Sequence, residues 1–145
     1  MPPSPSTPPD PPAGILETCL YVADMDRAQE FYSQFFGFEV MESDDRFCAF
    51  NVGPERVLLL FLRDSAPEGN TTPFGYIPPH NSHGEIHIGF RIDPGTADVW
   101  RQRLEEWKIP IESEFTWPRG GRSLYFRDPD RNLLELVTPG IWPNY

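Results

Sequence analysis

The strongest constraint on how this chain folds is that its pattern occurs twice. In the first half, ILETCLYV (15–22) reads as a strand, and Asp24 caps a helix that runs to Phe36 and stops at Gly37. Ala28, Phe31, Tyr32 and Phe35 fall on one stripe of that helix. Strands follow at 38–43, 46–52 and 56–62, with turns at Asp44-Asp45 and Gly53-Pro54. In the second half, EIHIGFRI (85–92) is again a strand, and Asp93-Pro94 reads as a cap followed by proline at the first helical position. That helix extends to Trp107 with Ala97, Trp100, Leu104 and Trp107 inward, and strands at 109–117, 121–126 and 132–137 complete the unit. The letters repeat as well. PERVLLLFL (54–62) aligns without gaps on PDRNLLELV (129–137), which sets Leu60 against Glu135, while Arg46 and Phe50 match Arg122 and Phe126.

The expectation is an α+β fold: two βαβββ modules, 15–63 and 85–138, forming a curved, cup-like mixed sheet with helices on its outer face. Neither module is large enough to bury much apolar surface alone, so the two must pack together or with the modules of a partner chain. Residues 64–84, rich in Pro, Gly and Asn, form a connection longer than most loops, a linker or a functional loop. Residues 1–13 are read as a disordered Pro-rich arm and 14–145 as a single domain.

Composition narrows the partners. A formal charge of −10 argues against a nucleic-acid backbone. No apolar run approaches the ~20 residues that cross a bilayer, and the N-terminus lacks the basic and apolar regions of a secretory signal. A cytoplasmic protein without nucleic-acid or membrane partners is therefore expected. Cys19 and Cys48 are too few for a disulfide framework and lack metal-type spacing.

Strand side chains alternate faces, so the acids can be sorted. Leu16, Leu20 and Val22 suit the helix side of the first strand, leaving Glu17, Cys19 and Tyr21 opposite. Ile86, Ile88, Phe90 and Ile92 do the same in the fifth strand, leaving His87, Gly89 and Arg91. In the last strand Leu134 and Leu136 go with the helix, and Glu135 goes opposite. A carboxylate in such an apolar run is expensive to bury without a partner. Glu17, His87 and Glu135 thus share the concave side, where two carboxylates and an imidazole make a three-ligand metal site with open positions. That donor set leans toward Mn, Fe, Ni, Co or Mg over Cu, and no thiolate is placed to favour a structural Zn, although Zn stays among the candidate ions. The structural alternative is a buried ionic cluster, Glu17–Arg91–Glu135, with His87 hydrogen-bonded to it. His80 and His83, in PPHNSHG, are read as lid or rim residues rather than ligands. In WPRGGRSLY (117–125) the guanidinium of Arg122 and the hydroxyls of Ser123 and Tyr125 are candidate substrate contacts, although Arg122 takes the face opposite the other two. Tyr21 is a candidate wall residue.

LETCLYVADMDRAQEFYSQFFGFEV, HIGFRID and GGRSLYFRDPDRNLLELV together resemble the vicinal oxygen chelate superfamily: glyoxalases, bleomycin-resistance proteins, fosfomycin-modifying thiol transferases and extradiol dioxygenases. The resemblance covers residues 15–142. It implies paired βαβββ modules forming an open cup, a homodimer, and a divalent metal at the cup's base. The family's first-strand ligand falls on Glu17, its fifth-strand histidine on His87 and its last-strand glutamate on Glu135. Most metal-dependent members carry His at the first position, so Glu17 departs from the extradiol pattern of two His and one Glu. Leu60 stands where four-ligand glyoxalases carry a further acid. The implied function is a metal-dependent enzyme acting on a small oxygen-bearing substrate through an enolate or oxyanion, with Glu17 and Glu135 catalytic and Tyr21, Arg91, Arg122 and Tyr125 contacting substrate. A metal-free cup that sequesters a small molecule is the alternative, and an iron-dependent dioxygenase the third.

Overall fold

The structure, a computed structural model, describes residues 7–145. Residues 1–6 of the expected arm lie outside that range, and 7–16 form neither helix nor strand.

The first module is β1 (Glu17–Val22), α1 (Met25–Glu30), β2 (Glu39–Ser43), β3 (Phe47–Asn51) and β4 (Val57–Leu62). Asp24 caps α1 by accepting the Arg27 N–H, as its sequence position suggests. The helix continues as a wider π-helical turn over Phe31–Phe35 and ends at Gly37, whose φ of +77° suits glycine. Ala28, Phe31, Tyr32 and Phe35 are all buried, so the expected stripe is the buried one. The connection is not featureless: it carries a small hairpin, β5 (Asn70–Thr72) and β6 (Gly75–Ile77), turned by Pro73-Phe74.

The second module is β7 (His87–Arg91), α2 (Ala97–Glu106), β8 (Ser113–Thr116), β9 (Arg122–Arg127) and β10 (Leu133–Val137). Here α2 begins later than Asp93-Pro94 implies. Thr96 donates from both its amide and its hydroxyl to the Asp93 carbonyl, and Gly95 sits at a φ of +81°, so 93–96 is a turn before the helix.

Each module makes its own four-stranded sheet, in the orders β1-β4-β3-β2 and β7-β10-β9-β8, with the outer pairs β1/β4 and β7/β10 parallel. The two sheets share no strand pairing, so the continuous cup expected from sequence is not closed within one chain. Instead, the helix-side faces meet in one core: Leu20, Val22, Phe50, Leu58 and Leu60 pack with Leu124, Phe126, Leu134 and Leu136. Phe35 and Phe36 from the end of the first helix contact Phe126, Phe90 and Trp100 of the second module. β1 and β7 remain as outermost strands.

Register corrects one sequence inference. Glu17 pairs with Val57, and His87 pairs with Leu133. Leu58 and Leu60 lie in the core as Leu134 and Leu136 do, so the structural counterpart of Glu135 is Leu59, one residue from the position the ungapped letters indicate. The pairing of Phe50 with Phe126 across the repeat agrees with this register, since they face Leu58 and Leu134.

The Asp128-Pro129-Asp130 turn joins the modules. Asp128 is buried and accepts from the Tyr32 hydroxyl (2.7 Å), the Asp130 and Asn132 amides, and Asn132 Nδ2. Asp130 accepts the Ala23 amide at 2.9 Å and lies 3.4 Å from Arg27. Asn132 in turn accepts the Ile86 amide at the entry to β7. The turn therefore fixes where β10 lies against both α1 and β7.

Candidate metal centre

β10 is the centre of the second sheet's parallel pair, and Glu135 stands in its middle, opposite Gly89 of β7 and Tyr125 of β9. It is 7 % exposed. A Cβ on Gly89 would sit only 3.7 Å from Glu135 Oε1, so the glycine leaves space above that oxygen. The neighbour that reaches it is His87, whose Nε2 lies 3.2 Å away. His87 Nδ1 lies 2.9 Å from the Leu133 carbonyl, which can only accept, so the ring proton is on Nδ1. In the neutral ring, Nε2 then presents a lone pair toward a carboxylate oxygen. Two donor atoms each ~2.1 Å from one cation and at 90–110° to each other are about 3.0–3.4 Å apart, which fits this pair. Tying the other imidazole nitrogen to a backbone carbonyl is also how metal-binding histidines are oriented.

The second oxygen of Glu135 is engaged differently. Ser123 donates its hydroxyl to Oε2, and Trp117 Nε1–H donates to Ser123 Oγ at 2.8 Å. Tyr125 stands beside His87, with ring centroids 6.3 Å apart. Partial burial, and secondarily the Glu135 charge, raise the Tyr125 phenol above its ordinary value.

Of the residues singled out from sequence, His87 and Glu135 are brought together, and Tyr125 and Arg91 line the same cleft. Glu17 is not with them: it is exposed at the start of β1, and among the described residues no group of three His, Cys, Asp or Glu in one chain can hold a metal. Tyr21 lies on the first module's sheet, where its hydroxyl is hydrogen-bonded to His80 Nδ1 at 2.7 Å. His80 also packs edge-on against Phe61 and so holds the 64–84 connection onto the first module, while His83 donates to Asp64 and ties the two ends of that connection together. Arg122 is a correction. It turns to the helix side and lies 3.3 Å from Asp98 of α2, because residue parity along β9 gives the site face to Ser123 and Tyr125. The ionic-cluster alternative also fails in its stated form, since Glu135 pairs with His87 and Ser123 rather than with Arg91.

The family-model comparison matches residues 14–136 to the Glyoxalase/Bleomycin resistance protein/Dioxygenase superfamily. The chain belongs to this superfamily. A solved superfamily structure, lactoylglutathione lyase from Agrobacterium tumefaciens, aligns with a TM-score of 0.82 and 35% identity over 92% of this chain and 98% of that one. The fosfomycin resistance protein FosX of Listeria monocytogenes is 28% identical over 127 residues, 86% of this chain and 88% of its own length. A variant of that FosX, solved with Mn(II) and 1S,2S-dihydroxypropylphosphonic acid, aligns with a TM-score of 0.63 and 23% identity over 86% of this chain and 88% of that one.

Within this superfamily framework, sequence reasoning missed Trp117 as a member of the site and missed the tail after β10. Ile141, Trp142 and Tyr145 line the cleft of about 870 Å³ that holds His87, Arg91, Tyr125 and Glu135 and runs along the outermost strands β1 and β7. The Tyr145 hydroxyl donates to the Val137 carbonyl at 3.0 Å and so pins the tail over the end of β10. Only the aromatic content of IWPNY signalled this, and aromatic residues alone do not say where a tail docks. No helix among the described residues is long and apolar enough to cross a membrane.

Proposed function

We propose that the chain is a divalent-metal-dependent enzyme of the glyoxalase type, acting on a small oxygen-bearing substrate, with each site assembled from two copies. The observation that carries this reading is Nε2 of His87 facing Oε1 of Glu135 at 3.2 Å, with Nδ1 already committed to the Leu133 carbonyl. Asp128 accepts four donors, whereas Glu135 has the Ser123 hydroxyl on Oε2, with His87 Nε2 and the Tyr125 phenol beside it. A buried carboxylate in that situation is stabilised by a cation.

His87 and Glu135 would hold the metal, and Glu17 of a second copy would complete the set. Support for the second copy comes from the fold. The two modules use their helix-side faces against each other, and β1 and β7 are edge strands, each paired on one side only, along one open cleft. A closed C2 dimer setting β1 of one copy beside β7 of the other would join the two concave faces in a homodimeric cup. The bound metal would supply Lewis-acid stabilisation of negative charge on a substrate oxygen. Around it, Arg91 offers a guanidinium to an anionic substrate group, and Tyr125 offers a hydroxyl that stays protonated at neutral pH. Glu17 is exposed and has no ion-pair partner among the described residues, which suits a carboxylate that moves a proton as well as one that ligates. Mn(II) in the FosX structure makes manganese the first ion to try, with Fe, Ni, Co, Zn and Mg after it. Leu59, at the position equivalent to Glu135, leaves the site one acid short of a four-ligand arrangement.

A second reading is favoured by the first module's concave face. Tyr21, Phe47, Phe61 and His80 form a continuous aromatic patch there, which suits a metal-free cup that binds an apolar ligand. Metal analysis of protein purified without chelators separates the two. Bound divalent metal lost on His87→Ala, Glu135→Ala and Glu17→Ala, and retained in His80→Ala, is the expected result. A wild-type chain without metal, whose melting temperature does not rise with any of the six ions, refutes the enzyme reading.

A further inference from the structure

The WPRGGR turn between β8 and β9 brings Trp117 to the edge of the cleft, and it is held by several close contacts. Trp117 N–H donates to the Gly121 carbonyl at 2.7 Å, and Gly120 N–H donates back to the Trp117 carbonyl at 2.8 Å. Gly120 has a φ of +93°. Gly121 is pressed so closely against the tail that a Cβ would meet the Gly140 carbonyl carbon at 2.8 Å. The turn thus has one rigid shape, and it aims the Trp117 indole at Ser123, itself 1 % exposed.

We propose that Trp117 and Ser123 form a positioning relay that determines how Glu135 presents itself to a metal ion. The proposal rests on the metal reading above. Ser123 has one hydroxyl proton, and with the indole N–H donating to its oxygen, that proton is directed at Glu135 Oε2. Oε2 is thereby engaged and the carboxylate's rotation fixed, with Oε1 turned toward His87. Glu135 is held as a one-oxygen ligand. This favours ions that take few, well-directed donors over Ca²⁺, which takes six to eight oxygens and accepts bidentate carboxylates. Without the hydroxyl, the carboxylate can rotate and offer both oxygens. Trp117 and Ser123 touch neither metal nor substrate in this scheme; they act through Glu135.

The test is Mn²⁺ and Ca²⁺ binding to the full chain, with free Mn²⁺ read by electron paramagnetic resonance and Ca²⁺ by competition. Ser123→Ala is expected to weaken Mn²⁺ binding about 10- to 100-fold, the usual effect of losing such a supporting bond, and to weaken Ca²⁺ much less. Trp117→Phe is expected to weaken Mn²⁺ by a smaller factor, and to add nothing in the Ser123→Ala background, because it acts only through the hydroxyl. Circular dichroism melts identify any variant that has lost the fold; the Trp117→Phe arm stands if Ser123→Ala is one. An unchanged Mn²⁺ affinity in Ser123→Ala, an equal loss of both ions, or additive effects of the two substitutions overturns the relay while leaving the metal site standing. A wild-type chain that binds no Mn²⁺ overturns both.

Discussion

Removing the hydroxyl of Tyr32 tests whether the two modules are held in place by the Asp128 turn. Tyr32 is fully buried, and its ring packs against Phe31, Phe36 and Phe50, contacts that phenylalanine would keep. The substitution Tyr32→Phe therefore isolates one interaction: a 2.7 Å hydrogen bond donated to the buried Asp128 carboxylate. A hydrogen bond to a charged group contributes about 1.5–3 kcal/mol, and Asp128 keeps three other donors, so ~2 kcal/mol is the expected loss. With an m-value of about 1–3 kcal/mol/M in urea, the midpoint should fall by ~1 M with m unchanged. A chain of this size should also melt roughly 6–10 °C lower. Equilibrium urea unfolding at neutral pH, followed by far-ultraviolet circular dichroism, is sufficient, and Tyr125→Phe at a half-buried site serves as the control. A Tyr32→Phe midpoint within error of wild type would refute the claim that this bond carries inter-module stability. A changed m-value would show that the modules no longer unfold together.

Three further outcomes are expected. Equal amounts of Glu17→Ala and His87→Ala protein, unfolded and refolded together, should recover about a quarter of the wild-type metal sites, because half the dimers would be mixed and each would hold one intact site; no recovery would place the site within one chain. Burial raises the Cys48 thiol from 9.0 to about 11 and the Tyr32 phenol well above 10, so the fold holds both protons longer than the unfolded chain does. Their contribution is complete below pH 9 and declines as pH rises, for Cys48 between 9 and about 11; Cys48→Ala should accordingly flatten the fall of melting temperature across that window, and an unchanged slope would count against it. Leu60→Glu buries an unpaired carboxylate in the core and should leave no folded protein, whereas Leu59→Glu, on the concave face, should fold; the opposite ranking would reinstate the ungapped register.

What the sequence made legible was set by short-range geometry. Alternation along β7 and β10 is a local property, so the convergence of His87 and Glu135 and the separation of Arg122 from Ser123 could be read from residue parity alone. The stripe of α1 was readable for the same reason. The repeat's register was not, because a Leu run beside a Pro-acid-Arg turn matches itself in two neighbouring registers, and only pairing and burial choose between them. Asn70–Ile77 was passed over as loop because three-residue strands carry almost no periodicity. The place of Glu17 depends on which faces the modules turn toward each other, and alternating patterns in either module are the same for a cup closed within the chain and one closed between chains.

The acids of this chain divide by what surrounds them, and that division ties the fold to the site. Asp128 and Asp130 are as buried as Glu135, but they receive amides, a phenol and guanidinium groups and serve to lock one module to the other. Their turn also stitches Asn132 to the amide of Ile86, and one residue later the Leu133 carbonyl takes the His87 Nδ1 proton. The proton on Nδ1 of His87, and with it the direction in which Nε2 points, is therefore a consequence of where that turn holds β10 against β7. Glu135 follows on the same strand, 7 % exposed in the cleft it shares with His87, with the Ser123 hydroxyl donating to it. A loosened Asp128 turn should thus lower metal affinity as well as stability, even though its nearest side chain makes no contact with the site. Tyr32→Phe protein, folded under native conditions, should bind Mn²⁺ more weakly than wild-type protein if the turn sets the geometry of His87 and Glu135, and equally well if the turn only stabilises.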